Sequence, residues 1–292
     1  MTDRFPMVDT HVHLWDLQHP DMRYVWLEPG AQHPHLTSEE IETLASRNES
    51  IDDFLFETRH ADVPKIVHVQ AAVGIENPVK ETEWLQAAAG RTGFPQAIVG
   101  HASLQSDDVR EVLEGHMEYA NFRGIRDFGT GDYLVDPAFH RGFEVLDELD
   151  LVFSLDSLWE SMGKGRDLAV KFPETTVVLD HMGYPQERTD EYFENWRKSL
   201  RAIAEADNVV CKISEVGMAD KTWTYETVRP WVLECIDVFG PDRCMFGTNW
   251  PVDRLYASYD GLVDSYRRMI SDFSDDEQKA MLAGNAEQLY RI

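Results

Sequence analysis

Short apolar runs alternate with amphipathic stretches along almost the whole chain, the pattern of βαβ units around a parallel sheet. Eight runs read as strands, at residues 7–13, 65–71, 96–101, 122–126, 151–155, 176–181, 209–214 and 244–247. Helical periodicity falls between most of them, at 79–89, 107–119, 137–149, 191–206 and 227–239. A last helix is expected over 275–290, with Ser274 as its N-cap, so that 274–292 forms a C-terminal helical segment. Eight strand–helix units in 292 residues predict an α/β fold, a closed (β/α)8 TIM barrel filling one domain over 1–292. The open doubly wound alternative lacks a GxGxxG after the first strand. Residues 17–50 break the rhythm. They are too long for an ordinary βα loop and carry Tyr24, Trp26, His33, His35, Pro20 and Pro29. Placed after the first strand they read as a lid over the barrel mouth, with a surface elaboration that touches no substrate as the alternative.

Both faces of a barrel strand are covered, so polar residues inside the strands need a reason. The first strand ends Asp9-Thr10-His11-Val12-His13, which puts two imidazoles on one face, two residues apart. The second carries His68 and Gln70, the fourth ends in Arg126, and the fifth leads into Ser154 and Asp156. The sixth ends Leu179-Asp180-His181, the seventh holds Lys212 and Ser214, and the eighth runs on into Gly247-Thr248-Asn249-Trp250-Pro251. One such residue is readily a satisfied core group. Polar groups at the ends of seven strands predict a solvated centre at the C-terminal mouth. His11 and His13 have the spacing to converge on a metal or a substrate oxygen. His68, in mid-strand, reads as a structural hydrogen bond, and the facing of His101 is undecided. Lys212 reads equally as a substrate contact and as a buried ion-pair partner of Asp156 or Glu215.

Composition narrows the setting. Lys and Arg total 27 against 53 Asp and Glu, a formal net charge of −26, with 8 lysines against 19 arginines. That surface repels nucleic acid and anionic membranes. Acidity with lysine depletion also suggests a halophilic source, because molar salt screens the self-repulsion; an ordinary acidic cytosolic protein is the alternative. Met1 to Val8 has no apolar leader core, and no apolar run approaches the roughly 20 residues of a membrane span. Cys211, Cys235 and Cys244 are dispersed and lack CxxC spacing, which favours a reducing compartment, the cytoplasm.

At the strand ends the chain resembles the amidohydrolase superfamily. Val8-Asp9-Thr10-His11-Val12-His13-Leu14-Trp15 is similar to its opening strand. The similarity continues through Val69-Gln70-Ala71, Gly124-Ile125-Arg126, Leu179-Asp180-His181-Met182-Gly183, Cys211-Lys212-Ile213-Ser214 and Met245-Phe246-Gly247-Thr248-Asn249-Trp250-Pro251-Val252. These blocks, in order and spanning nearly the whole chain, resemble the branch that contains sugar-lactone and pyrone-dicarboxylate lactonases. The resemblance implies a barrel of amidohydrolase type that opens a sugar-acid or dicarboxylate lactone with activated water. His11, His13 and His181 would hold one divalent metal, zinc or manganese, or polarise the carbonyl without a metal. Arg126 would bind a substrate carboxylate or hydroxyl with its planar fork, and Gln70, Lys212, Asp127 and Trp250 would join it around the substrate.

Three positions depart from the branch pattern. Asn249 stands where relatives present the aspartate that accepts the proton of the attacking water, and a carboxamide orients water without taking its proton. Glu215 replaces a usual glycine, and Asp127 a usual histidine. A subgroup with asparagine followed by Pro-Val-Asp matches this chain through Asp253. A relocated base is therefore expected, Asp253 or Glu215 first and Asp127 third, with Asn249 orienting the water. Asp253 alternatively only bonds Arg254 or a neighbouring loop. Beside a hydrolase, two readings stay open: a non-hydrolytic relative (a decarboxylase or a lactone isomerase), and a catalytically inactive barrel that binds a small acid. In each the partner is a small molecule, and self-association into a homo-oligomer is compatible.

Overall fold

Eight short apolar segments form one parallel sheet among the described residues: β1 (Val8–Val12), β2 (Lys65–Val69), β3 (Ala97–Gly100), β4 (Phe122–Arg126), β5 (Val152–Leu155), β6 (Val177–Leu179), β7 (Val209–Ile213) and β8 (Cys244–Phe246). The structure, a computed structural model, describes residues 5–292. Residues 1–4, on which the expectation of no leader partly rests, lie outside it. The strands are ordered β1 to β8 in sequence. The ring closes where Val12 bridges Trp250 and the His13 amide donates to the Trp250 carbonyl at 2.7 Å. This is the expected (β/α)8 barrel.

The alternating pleat sorts the strand residues into two layers. Val67, Val69, Ala97, Val99, Val152, Val178 and Met245 pack in one buried cluster with Ala286 and Tyr290. Their neighbours Ile66, Ile98, Ile125, Phe153, Val177, Cys211 and Phe246 pack in the larger core that includes the helices. The C-terminal segment starts at Asp275 from a capping box between Ser274 and Glu277. It passes through a π-helical stretch, Ala280–Gly284, and continues as Asn285–Tyr290. It lays Ala286 and Tyr290 against the inner cluster, opposite the mouth.

The five expected helices between strands are present as Val79–Thr92, Val109–Met117, Pro137–Glu148, Asp190–Ile203 and Tyr225–Phe239. Outside the segment 17–50, three longer helices and one short α-helical turn, Val216–Ala219, go beyond that expectation. Ile51–Thr58 is two turns long, too short for its period to show, though Ser50 and Asp53 box its start. Met162–Lys171 contains Gly163 and Gly165, poor helix formers. Gly165 is there because a Cβ would lie 2.7 Å from Leu155 Cδ2 on β5. Tyr259–Met269 carries Gly261 in its first turn.

Within residues 17–50 the chain forms a 3-10 turn, Val25–Leu27, and a helix, Ser38–Leu44, capped by Thr37 and Glu40. Trp26 Nε1 donates to the Ala71 carbonyl at 2.9 Å, which pins one end to the loop after β2. Glu40 pins the other end, taking Lys221 Nζ at 2.6 Å and the Tyr256 hydroxyl at 3.0 Å. The three cysteines, dispersed in sequence, meet in space: Cys211 and Cys244 are register partners, Cys235 joins them, and all are buried and free. No helix among the described residues is long and apolar enough to cross a membrane.

Candidate active site

The first strand delivers its histidines by breaking its own register. Asp9 pairs with Ile66 and Val12 with His68, three steps on β1 against two on β2, so the strand bulges between them. Asp9 holds the bulge. Its carboxylate accepts from the His11 amide (3.2 Å), the Thr248 amide (2.9 Å), the Thr248 hydroxyl (2.6 Å) and the Tyr259 hydroxyl (2.9 Å). Burial pushes this carboxyl up to about 6 even against those four donors. The β8 turn comes so close that a Cβ on Gly247 would lie 2.7 Å from His11 Cβ, which explains glycine there.

Both imidazoles are buried, His11 completely, and burial holds each well below the ordinary imidazole range, so both are neutral. His13 Nδ1 lies 2.8 Å from the Val69 carbonyl, which can only accept, so this nitrogen carries the proton. His13 Nε2 is then an acceptor, and the Nε2 of His11 at 3.2 Å must donate to it. His11 Nδ1 is left as an acceptor, and the Lys212 ammonium faces it at 3.5 Å. Lys212 Nζ is also 2.8 Å from Asp180 Oδ1, with both side chains fully buried. The hydrogen bonds thus run one way, from Lys212 through His11 and His13 to Val69. Lys212 pairs with Asp180 rather than with the expected Asp156 or Glu215, because alternate inward positions of β6 and β7 set 180 beside 212.

The loops after β6, β7 and β8 present their side chains from left-handed backbone. His181 (φ 57°), Met182 (φ 56°), Gly183 (φ 70°) and Tyr184 (φ 53°) are consecutive, and Glu215 and Asn249 each have φ 57°. Non-glycine residues adopt this region at a cost of about 1 kcal/mol or more each. His181 Nδ1 meets the Ser214 hydroxyl at 2.8 Å, and its Nε2 lies 3.0 Å from Glu215 Oε2. Glu215 Oε1 is buried with no hydrogen-bond partner in the protein. Burial, reinforced by the charges of Asp253 and Asp156, raises Glu215 well above the carboxylate range, and burial keeps His181 neutral.

These loops enclose a cavity of about 650 Å³. Its lining brings together His13, His181, Glu215, Asn249, Arg126 and Gln70 of the expected site, and Trp26, His33, His35 and Leu36 of the segment 17–50. It also brings Asp156, counted in the sequence among the polar strand ends but given no role in the site, and Tyr184, which the sequence reading did not place there. Arg126, expected to grip a substrate group, is already engaged. Nη2 donates to the Gln70 carbonyl (2.7 Å), Nε to Gln70 Oε1 (3.2 Å), and Nη1 lies 3.7 Å from Asp156 Oδ2. Burial pushes Asp156 up to about 6, with Arg126 pulling the other way.

Five expected residues are not on the cavity wall. His11 and Lys212 lie behind it. Asp253 is turned into the protein, where its carboxylate takes the Gly217 amide at 3.0 Å and Asn249 Nδ2 at 3.4 Å. Asp127 accepts from the amides of Leu104 (2.8 Å) and Gly129 (2.9 Å), a loop clamp. Trp250 is buried and donates Nε1 to Glu57 at 2.9 Å. His68 faces the helix Val79–Thr92, 3.4 Å from Glu81 Oε1 but without a hydrogen bond. His101 turns to the Arg126 carbonyl at 3.1 Å. A charged residue inside or just after a buried strand was the available signal for Asp9, Asp156 and Asp180; Tyr184, farther beyond its strand, gave none.

Among the described residues, His11, Asp180 and His181 could gather around a metal ion, their ligand atoms within 4.8 Å of one another. Two of the three expected ligands, His11 and His181, belong to this group with Asp180, and His13 Nε2 lies 3.2 Å from His11 Nε2. The surroundings do not suit a divalent cation. Asp180 is already paired with Lys212 at 2.8 Å, and the same ammonium faces His11 Nδ1 at 3.5 Å. Ligation through His11 Nε2 would require a proton on Nδ1, setting two donors against each other.

The profile of the amidohydrolase family matches residues 8–292. A protein of Sinorhizobium fredii, described as uncharacterized protein y4mH, is 38% identical over 298 residues, covering 98% of each chain. L-fucono-1,5-lactonase of Burkholderia ambifaria is 26% identical, over 98% of this chain and 95% of its own. Among solved structures, an amidohydrolase of Burkholderia multivorans with bound zinc superposes with a TM-score of 0.84 at 26% identity, over 98% and 99% of the two chains.

Proposed function

The chain belongs to the amidohydrolase family, and from that footing we propose that it hydrolyses a lactone, with Glu215 and His181 together accepting the proton of the attacking water. One observation carries this reading. In the cavity where Asn249 offers no base, Glu215 presents a partnerless Oε1 while its Oε2 lies 3.0 Å from His181 Nε2. A neutral carboxyl so placed passes a proton along: water gives one to Oε1 as the Oε2 proton moves to Nε2, leaving His181 as imidazolium. The water oxygen bonds the lactone carbonyl carbon. When the tetrahedral intermediate collapses, the ring C–O bond breaks and the same proton returns to the departing alkoxide, giving a hydroxy acid. Microscopic reversibility makes the pair base, then acid.

Among the N–H donors on the wall, Asn249 Nδ2 has only a long 3.4 Å contact with Asp253, and Arg126 Nη1 comes no closer to a partner than its 3.7 Å approach to Asp156. These two are the donors nearest to free for a developing oxyanion. Each donor well placed on the developing oxyanion contributes about 3 kcal/mol. His11 donates its proton to His13 and His13 donates its own to the Val69 carbonyl, so they brace the wall instead of polarising the substrate carbonyl. No step runs through a metal, because the Lys212 ammonium already stands at the only clustered ligands among the described residues. The lactonase relative supports a lactone as substrate. Trp26, His33 and His35 on the cavity wall support a covering role for residues 17–50. The three free buried thiols are compatible with a cytoplasmic setting.

The test is hydrolysis of a lactone panel followed by pH-stat in H2¹⁸O. One labelled oxygen in the carboxyl of the ring-opened acid is expected. Loss of CO2, a rearranged lactone, or binding without turnover would each remove the hydrolase reading.

A further inference from the structure

The charges and unsatisfied atoms of the cavity narrow the substrate, an inference that rests on the lactone reading above. Arg126 is the only lining residue among the described residues with a permanent positive charge. Its guanidinium is committed to Gln70 and Asp156, and its face lies over the Phe128 ring, 4.9 Å from the centroid. The lining imidazoles offer a substrate anion nothing free: both nitrogens of His13 are taken by Val69 and His11 and both of His181 by Ser214 and Glu215, while burial pushes His33 down to about 4 and lowers His35. Lys212 is sealed behind the wall against Asp180. Against this single occupied cation stand two carboxyls, Asp156 and Glu215. A substrate bearing a second carboxylate would be desolvated beside Asp156 with no free cation to meet it.

Asp156 also has an unmet need. The Tyr184 hydroxyl is near enough to favour its carboxylate form, yet Oδ2 is buried and accepts no hydrogen bond of normal geometry, Arg126 being too far at 3.7 Å. Buried acceptors in native proteins are satisfied, so this oxygen calls for a donor from the ligand. A hydroxyl supplies one and a carboxylate does not. Tyr184, Trp26 and Phe128 add aromatic surface for the C–H faces of a saturated ring.

We propose that Asp156 is a specificity residue, its Oδ2 accepting a hydroxyl of a neutral, polyhydroxylated lactone, so that the cavity takes aldonolactones and refuses lactones that carry a second carboxylate. Wild type and Asp156→Asn are compared on a neutral aldono-1,5-lactone and on a lactone of the same ring size with a carboxylate in place of its exocyclic group. Wild type is expected to favour the neutral lactone by about 100-fold or more in kcat/KM. The variant should lose about 10- to 100-fold on the neutral lactone, mainly through KM, and so narrow the preference. Equal or better wild-type turnover of the carboxylated lactone overturns the inference while leaving the lactone reading intact. So does a variant that loses kcat alone, equally on both substrates, since Asp156 would then serve the chemistry. Calorimetric titration with the two corresponding lactams separates binding from turnover. Selective binding of the neutral lactam without lactone hydrolysis upholds the inference and removes the hydrolase reading. Binding of neither lactam, with no turnover, overturns both.

Discussion

Lys212 Nζ lies 2.8 Å from Asp180 Oδ1, and neither side chain reaches solvent. Burial works to lower the lysine, but the charge and hydrogen bond of Asp180 hold it above its ordinary value, so it is an ammonium ion. Removing one member strands the other. Lys212→Met should cost about 3–5 kcal/mol in urea unfolding. The double variant Lys212→Met with Asp180→Asn should recover much of that loss. A single variant as stable as wild type would mean that the pair is not buried as described.

Glu215→Gln keeps the shape of the side chain and its contact with His181 but cannot pass a proton. Its kcat should fall about 10²- to 10⁴-fold, with little change in KM and an unchanged near-UV circular dichroism spectrum. Wild-type turnover in this variant places the base elsewhere.

Asp253 is held inside the protein, and burial pushes it up to about 7 despite its bonds to Gly217 and Asn249. An acid raised on folding binds its proton more tightly in the folded state, so its contribution is present at low pH and is lost as pH rises from about 4 to about 7. Asp253→Asn never has to ionise. It should match wild type near pH 4 and gain on it by on the order of 3 kcal/mol by pH 8, read from urea unfolding at each pH. A stability difference that stays flat with pH contradicts this. Because Asp253 positions Asn249, the same variant should lower kcat while leaving residual activity.

Chelation provides a separate check on the chemistry. With Lys212 beside Asp180 and His11, dialysis against EDTA should leave turnover unchanged, and added Zn²⁺ or Mn²⁺ should not raise it. Loss on chelation with recovery on adding metal would show that the ammonium moves aside for an ion. Metal content is followed by plasma mass spectrometry.

The net charge of −26 makes salt a lever on stability. At 1 M KCl the screening length falls to about 3 Å, and the melting temperature should rise by roughly 5 °C or more over that in dilute buffer. An unchanged melting temperature argues against adaptation to a saline cytosol.

The barrel was legible because hydrophobic alternation is local: each of β1 to β8 falls within an apolar run visible in the sequence. The same alternation located His11, His13, Arg126 and His181. What it could not give was anything set by backbone outside the strands. Glu215 and Asn249 point as they do because of left-handed residues, and no residue pattern distinguishes the cavity-facing Glu215 from the inward-turned Asp253. Lys212 was recognised as a buried cation, but its partner depended on the stagger of β6 against β7, which no run of hydrophobic residues encodes. Helices 51–58, 162–171 and 259–269 escaped because brevity or glycine blurred their period.

The C-terminal helix sets a timetable for biosynthesis. Tyr290 completes the inner cluster beneath Lys212, and β1 has no second neighbour until β8 arrives more than 230 residues later. As the nascent chain emerges, β1 can pair with β2 but keeps an open edge, and the polar interior above Val8 lies uncapped through most of translation. At about 5–20 residues per second that exposure lasts on the order of 10 s or more. Ring closure is thus a late event dominated by distant contacts, slow for its size, and a chain halted before β8 would present an open sheet with its charged centre in water.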